Sequence, residues 1–190
     1  AGVGMSCFDF KGGIGTASRR LSAEHGGYTL GVLVLSNYGR RADLLIDGVP
    51  VGRELTQPIE PSQSKGGSVI VVLGTDAPLD SRQLGRVARR CVAGLARTGS
   101  IVSHGSGDFI LAFGLKCEEA AARAKEALHV EGSGQVELLF RACVECTEEA
   151  VLNSMLRAET VVGRDGHSRE ALPLDRLAEV MARYGKPIKV

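Results

Sequence analysis

Three stretches of the chain are apolar at nearly every position, and they set its organisation. They cover residues 28–37, 69–73 and 109–113. A strand that is apolar throughout lies in the middle of a layered protein, because both of its faces must be covered. We therefore expect these stretches to be strands of a buried sheet.

Apolar residues at intervals of three and four predict helices that cover this sheet. The period occurs in four stretches, residues 84–96, 118–128, 136–158 and 175–184. The opposite side of the first helix is solvated or faces another subunit, since it carries Arg82, Arg86, Arg89 and Arg90. An Asp47-Gly48 turn between short apolar runs adds a hairpin. This order of elements predicts an α/β or α+β layered fold.

Length and composition favour one ordinary globular domain. The chain has 190 residues and a mass of 20.0 kDa, with 44% hydrophobic residues, 24% charged residues and a net charge of +1. So small a charge predicts no nucleic-acid partner. No apolar run approaches the roughly 20 residues that span a bilayer, so no membrane role is expected. The chain begins at Ala1 rather than at a methionine, which indicates a fragment or a processed piece.

The cysteines do not form a recognisable metal or disulfide framework. They are odd in number and lack paired C-x-x-C units, at positions Cys7, Cys91, Cys117, Cys143 and Cys146. Cys143 and Cys146 lie three apart in a predicted helix, where we interpret them as small buried side chains. Free thiols favour the reducing cytoplasm, although a signal peptide ahead of Ala1 would change this localisation.

A polar loop with two prolines separates two of the apolar strands and is the only linker that the sequence suggests. It spans residues 56–67, and its last two residues, Gly66 and Gly67, lead into Ser68. Local pattern alone favours a flexible loop that leads into a buried strand. The alternative is that Ser68 becomes a new amino terminus and the nucleophile of an enzyme.

Other polar groups also carry both a structural and a chemical interpretation. Asn37 ends a strand, where it could form a turn or donate to an oxyanion. His104, Ser106 and Asp108 precede the third strand as turn residues or as a catalytic corner. The glycine-rich residues 10–18 are similar to a phosphate-binding loop, but their lysine precedes the glycines, so tight turns are the favoured interpretation.

Motifs along essentially the whole chain match one family in collinear order. They are Gly12-Gly13-Ile14-Gly15-Thr16-Ala17-Ser18-Arg19, Val34-Leu35-Ser36-Asn37-Tyr38-Gly39, Ile46-Asp47-Gly48-Val49-Pro50-Val51-Gly52, Gly67-Ser68-Val69-Ile70-Val71-Val72, Thr75-Asp76-Ala77-Pro78, Ala96-Arg97-Thr98-Gly99-Ser100, Ser106-Gly107-Asp108-Phe109, Glu148-Glu149-Ala150-Val151-Leu152-Asn153 and Gly163-Arg164-Asp165-Gly166-His167. Together they resemble the self-processing serine aminopeptidases of peptidase family S58, typified by DmpA and the β-aminopeptidases.

The resemblance implies a four-layer αββα sandwich like that of N-terminal nucleophile hydrolases, of which this chain is only the C-terminal half. It implies one domain fragment, in which residues 1–67 end the α-subunit region and residues 68–190 form the β-subunit region. The implied partners are the missing N-terminal part of the same precursor and further copies, in a tetramer of αβ units. A tyrosine of the oxyanion hole and the acids that bind the substrate amine would lie in the missing part.

The resemblance also implies a mechanism. The precursor cuts itself between Gly67 and Ser68, and the freed amine of Ser68 then serves as the base for its own hydroxyl. Asn37 is the implied oxyanion donor and Ser106 a hydrogen-bond relay. Asp108 orients that relay or holds a cationic amine, and some relatives carry glutamate at its position.

The expected activity is the release of N-terminal residues from small peptides, amino-acid amides or esters through an acyl-enzyme. No cofactor or metal is implied, and a triad with His104 or His167 as the base is not expected. Two alternatives stay open. One is an acyltransferase of the same fold, in which an amine takes the acyl group, and the other is a non-catalytic module that binds an anion or nucleotide at residues 10–18.

Overall fold

A computed structural model describes residues 2–55, 67–115 and 129–188, and a mixed four-stranded sheet organises them. Two short strands, β1 (Ser6–Cys7) and β2 (Phe10–Lys11), form a hairpin at the start. The sheet follows, in the order β3 (Ile14–Arg20), β4 (Thr29–Asn37), β5 (Ser68–Thr75) and β6 (Phe109–Gly114). Its first two pairings are antiparallel, and β5 and β6 are parallel. The three strands predicted from the apolar runs are therefore confirmed, and they lie side by side.

One long helix covers one face of the sheet. Besides helical residues at 129–132, the described residues contain the α-helices α1 (Val51–Glu54), α2 (Ser81–Ala88), α3 (Cys91–Arg97), the long α4 (Gln135–Leu156) and α5 (Leu174–Arg183). Helix α4 packs against β3, β4 and α3, and it buries Cys143 and Cys146 as expected. The last two predicted helices are confirmed as α4 and α5, whereas the helix predicted at residues 118–128 lies outside the described residues. No described helix is long and apolar enough to cross a lipid bilayer.

The prediction of one continuous helix over residues 84–96 is wrong. Asp80 and Gln83 begin α2 with a reciprocal capping box. The backbone N–H of Arg90 then bonds to the Val87 carbonyl at 2.9 Å, a tight three-residue turn that separates α2 from α3. The two short helices keep the predicted apolar face, because Leu84, Val87, Cys91 and Leu95 are all buried.

Strand β3 is an element that the glycine-rich sequence did not predict. It pairs with β4 over its full length of seven residues. A Cβ atom at Gly15 would lie 1.9 Å from the Ala150 carbonyl oxygen, so only glycine lets α4 lie this close to the strand. The predicted Asp47-Gly48 turn is confirmed, but only Ile46 and Val49 pair across it. A second small hairpin, β7 (Val161–Val162) and β8 (Ser168–Arg169), flanks the predicted loop at residues 163–167.

The two faces of the sheet differ in what covers them. The face toward α4 is buried, as at Val32, Val34, Val71 and Leu73. The other face is apolar but uncovered by the described residues, and Phe109, Leu111 and Phe113 are 65%, 60% and 47% exposed. We call this surface the open sheet face; its side chains are Ile14, Leu33, Leu35, Ile70, Val72, Phe109, Leu111 and Phe113. One helical layer on one sheet layer confirms the predicted mixed α/β class.

Candidate active site

The last residue of β4 and the first residue of β5 lie directly opposite each other. Asn37 pairs with Ser68 in the antiparallel register. Opposite residues of such a pair point to the same side of the sheet. Both side chains therefore project at one end of the open sheet face, next to Leu35 and Ile70.

The carboxamide of Asn37 is oriented by the N-terminal hairpin. Its Oδ1 atom accepts a hydrogen bond of 3.0 Å from the backbone N–H of Ser6. Because the oxygen is held by Ser6, the Nδ2 atom and its two donor hydrogens lie on the other side of the carboxamide. Asn37 lines a cavity together with Ser6 and Gly67. An amide fixed in this way can donate to an oxygen that carries developing negative charge.

The Ser68 hydroxyl lies between the residue that precedes it and the loop before β6. It donates to the Gly67 carbonyl oxygen at 2.8 Å and accepts from the Gly107 N–H at 3.2 Å. Ser68 itself is exposed at the end of its strand. The hydroxyl is thus held beside the carbonyl of the peptide bond that joins it to Gly67.

Gly67 occupies a position with no room for a side chain. A Cβ atom there would lie 2.8 Å from the Tyr38 Cα atom and 2.9 Å from the Asn37 carbonyl oxygen. Real Cβ atoms essentially never approach their neighbours so closely. The requirement for glycine before Ser68 therefore comes from the close approach of the chain to the end of β4.

Ser106 and Asp108 reach the same place because β5 and β6 are parallel. Strand β6 begins at Phe109, which pairs with Ile70, so the residues before β6 come to the end of the sheet where Ser68 lies. The Ser106 hydroxyl donates to Asp108 Oδ1 at 2.6 Å, and the same oxygen accepts from the Val69 N–H at 3.3 Å. The carboxylate is thereby tied to the backbone next to Ser68. The Ser106 oxygen, having donated its hydrogen, keeps its lone pairs to accept another.

A cavity of about 290 Å³ opens beside these groups. It is lined by the segment after β4 (Asn37, Tyr38, Gly39, Arg40, Asp43), by the loop before β6 (Gly99, Ser100, Ile101, Ser103, His104, Ser106), and by Ser6 and Gly67. Arg40 Nε and Asp43 Oδ2 form an ion pair of 3.1 Å on its wall. The volume lies at the lower end of the range for small-molecule sites.

Tyr38, which lines the cavity, and the neighbouring buried Cys7 both stay neutral near pH 7. Burial raises the pKa of the Cys7 thiol to about 12, although a hydrogen bond with Ser36 lowers it. Burial likewise holds the pKa of the Tyr38 phenol well above its usual value. Negative charge on Cys7 and Asp108 raises this pKa further, whereas the hydrogen bond with Thr98 lowers it. Neither group is a proton acceptor for the chemistry at Ser68.

The histidines do not join the serine and the aspartate. His104 lies on the cavity wall, whereas the backbone of His167 closes the turn between β7 and β8, where its carbonyl accepts from the Gly163 N–H at 2.7 Å. Within residues 2–55, 67–115 and 129–188, neither Ser68 nor Asp108 forms a hydrogen bond with a histidine. The same residues contain no group of three or more His, Cys, Asp or Glu side chains placed to hold a metal ion.

The alternative of an anion-binding loop at residues 10–18 is wrong. The Lys11 Nζ atom is buried and donates to backbone carbonyls, the shortest bond being 2.6 Å to Gly12. The backbone amides of Lys11, Gly12 and Gly13 donate to Glu170, Met5 and the Ser36 hydroxyl. The donors that would cradle a phosphate are therefore already used within the protein.

Comparison with known proteins identifies the family. The family model described as peptidase family S58 matches residues 1–169. The chain belongs to peptidase family S58. The predicted family is thereby confirmed.

Similar proteins support the same assignment for this S58 chain. The β-peptidyl aminopeptidase BapA of Sphingosinicella microcystinivorans is 38% identical over 200 residues, which cover 96% of this chain and 50% of that protein. The structure of the PH0078 protein of Pyrococcus horikoshii OT3 is 45% identical, with a TM-score of 0.81, and the match covers 98% of this chain and 51% of that one.

A third similar protein bears on the fold. It is the L-aminopeptidase D-Ala-esterase/amidase of Ochrobactrum anthropi, 36% identical with a TM-score of 0.77, and the match covers 97% of this chain and 52% of that one. Its structure is described as a prototype for the serine aminopeptidases and a new variant of the Ntn hydrolase fold. The S58 chain thus spans about half the length of each of these proteins.

All predicted site residues of the S58 chain lie at one end of the sheet, and two contributing residues were not predicted. Gly107 donates its N–H to the Ser68 hydroxyl, and Ser6 donates its N–H to Asn37. Both act through the backbone, so their side chains give no chemical signal. Gly107 could have been found from its place between Ser106 and Asp108, whereas the sequence holds no comparable indication for Ser6.

Proposed function

We propose that this chain is the C-terminal part of a self-processing serine aminopeptidase, which releases N-terminal residues from small peptides, amino-acid amides or esters. The observation that carries the proposal is the Ser68 hydroxyl, 2.8 Å from the Gly67 carbonyl oxygen and opposite the Asn37 carboxamide. Membership of peptidase family S58 supports it. The small cavity beside Ser68 suits a substrate of one or two residues.

The first reaction is cleavage of the chain between Gly67 and Ser68. The Ser68 Oγ atom attacks the Gly67 carbonyl carbon, the carbon–nitrogen bond breaks, and the hydroxyl proton passes to the departing amine. Water then hydrolyses the ester. The products are a chain that ends at Gly67 and a chain that begins at Ser68, which would divide residues 1–67 from 68–190. Gly67 favours this reaction because it leaves the carbonyl unshielded by a side chain.

The second reaction uses the amine that cleavage releases. An α-amino group has a pKa near 8, so a fraction is neutral at working pH and accepts the hydroxyl proton of Ser68, directly or through water. Asp108 fixes the Ser106 hydroxyl by accepting its hydrogen. Ser68 Oγ attacks the substrate carbonyl, Asn37 Nδ2 donates to the resulting oxyanion, the leaving amine takes the proton, and water hydrolyses the acyl-enzyme.

The open sheet face supports the proposal that the rest of the same precursor packs on this chain. Phe109, Leu111 and Phe113 present contiguous apolar surface that the described residues leave exposed. Large exposed apolar surfaces mark contacts with other segments. The chain covers 50% of BapA, so a segment of comparable length is available in a protein of that kind. We propose that this N-terminal segment packs on the open sheet face.

Intact-mass analysis of the full-length protein tests the proposed function. We expect two chains, the second beginning at Ser68, and hydrolysis of aminoacyl amides. Ser68→Ala should give one uncut chain without activity, whereas Ser133→Ala, which changes a serine whose hydroxyl donates to the Val130 carbonyl far along the chain from the site, should be cut and active like the parent. A single uncut chain that hydrolyses these substrates would refute the proposal. Adding an amine acceptor distinguishes hydrolysis from acyl transfer, since transfer would give the new amide as the main product.

A further inference from the structure

Lys11 is a charged residue in the interior that the mechanism does not use. Its side chain belongs to a residue only 7% exposed. The Nζ atom donates to three backbone carbonyls, of Gly12 at 2.6 Å, Met5 at 3.3 Å and Gly2 at 3.5 Å. Among the described residues no carboxylate lies within ion-pair distance of it. A buried ammonium is costly unless each of its three hydrogens is bonded, and here all three donate to the backbone.

The three carbonyls belong to the segment that forms the hairpin of β1 and β2. The ammonium therefore holds the residues before β1, Gly2 and Met5, close to Gly12, which follows β2. In addition, the Gly12 N–H bonds to the Met5 carbonyl at 3.1 Å. The base of the hairpin is held by these bonds.

The tip of the hairpin is strained and separately anchored. Phe8 and Asp9 have φ angles of 50° and 62°, in the left-handed region that is rarely adopted by residues other than glycine. Phe8 is fully buried against the Tyr38 ring, with centroids 5.3 Å apart, and Asp9 Oδ2 accepts from the Arg41 N–H at 3.0 Å. Such strain persists only where the surroundings hold the chain in place.

The hairpin carries the group that orients the oxyanion donor. Ser6 lies in β1, and its N–H holds Asn37 Oδ1 at 3.0 Å. We propose that Lys11 is a positioning residue, which fixes the hairpin by its three carbonyl bonds so that Ser6 holds the Asn37 carboxamide with its donors toward the reacting carbonyl. The inference rests on the proposed function, since it acts through the oxyanion role of Asn37.

The first test replaces Lys11 in the full-length protein. Lys11→Met keeps an unbranched side chain that is one atom shorter, and it removes the donors and the charge. We expect kcat to fall about 10-fold to 100-fold, less than the 10²–10³-fold that loss of a whole oxyanion donor costs, with KM nearly unchanged. The matched control is Lys186→Met, an exposed lysine on the Asp47 carboxylate, which should keep the parental kcat. If Lys11→Met does not fold, Lys11→Gln retains amide donors and should lower kcat to a smaller extent; a parental kcat in the folded variant would overturn the proposal.

The deciding test is a double-mutant cycle with Asn37→Ala. If Lys11 acts through Asn37, Lys11→Met lowers kcat in the parent but not in the Asn37→Ala background. Equal falls in both backgrounds would show a general structural effect and would refute the positioning role. If Asn37→Ala alone has the parental rate, the proposed function fails instead, so the two failures are distinguished.

Discussion

Asn37 and Ser68 are register partners at the shared end of β4 and β5, so one backbone pairing holds the proposed oxyanion donor against the proposed nucleophile. Ser68 adds bonds to Gly67 and Gly107, and Asn37 adds a bond to Ser6. Groups at the ends of paired strands are placed more accurately than groups on free loops.

Asn37→Ala should lower kcat by 10²–10³-fold, roughly 3 to 4 kcal/mol of transition-state stabilisation, because the donor to the oxyanion is lost. It should also slow cleavage at Gly67, which passes through an oxyanion at the same place. Steady-state kinetics and an intact-mass time course measure the two effects. Asn153→Ala is the control, since the amide of that half-buried residue donates to the Thr16 carbonyl and lies outside the site. Equal rates in the two variants would contradict the role of Asn37.

Gly67→Ala should slow self-cleavage about 10-fold to 100-fold. The new Cβ would lie 2.8 Å from Tyr38 Cα, so the backbone must move away from β4, and an overpacked contact costs about 1–3 kcal/mol. Gly85→Ala makes the same chemical change in α2, where nothing lies within 4 Å of the new atom. That control should be cut at the parental rate and be about 0.5–1 kcal/mol more stable. Cleavage of both variants at one rate would show that the crowding at Gly67 has no part in the reaction.

Much of the sheet could be predicted because the evidence for it is local, whereas the site could be predicted because separate motifs along the chain match one family. Continuous apolar runs indicate sheet strands wherever they occur, and β4, β5 and β6 follow from them, although the described residues cover only one of their faces. The site residues lie at the ends of those strands and within motifs of a known family. They are Asn37, Ser68, Ser106 and Asp108. Their catalytic roles stay predictions until they are measured.

What the sequence did not reveal depends on contacts between distant segments. Strand β3 has a loop-like composition because Gly15 leaves room for the backbone of α4 at Ala150, which lies 135 residues further along the chain. The glycine-rich residues 10–18 left an anion-binding role for Lys11 open as an alternative, but its partners are carbonyls of its own segment that only the folded hairpin brings together. Ser6 contributes a backbone N–H, which every residue but proline has, so its identity carries no information.

Leu111→Lys should destabilise the full-length protein if its N-terminal segment covers the open sheet face. Leu111 is 60% exposed among the described residues, and covering a leucine side chain contributes about 1.5–3 kcal/mol. A lysine there loses this contribution and leaves a charge to be buried. Val162→Lys is the control, because that side chain is 68% exposed on the hairpin of β7 and β8 and should change stability by no more than about 0.5 kcal/mol. Denaturant unfolding compares them, and equal midpoints would contradict the proposed covering of the face.

Cys7 should make the protein less stable at alkaline pH. Burial raises the pKa of its thiol from 9.0 to about 12, so between these values the unfolded chain loses the proton while the folded protein keeps it. The stabilising contribution of the protonated thiol is therefore complete below pH 9 and is lost progressively from pH 9 to about 12. The free energy of unfolding has fallen by about 1.4 kcal/mol at pH 10. Cys7→Ala removes this group and leaves the other buried thiols and Tyr38 in place. The free energy of unfolding of the parent minus that of Cys7→Ala, measured in urea at pH 7.5 and pH 10, should fall by about that amount. A difference that stays constant between the two pH values would mean that the Cys7 thiol ionises as readily in the folded protein as in the unfolded chain.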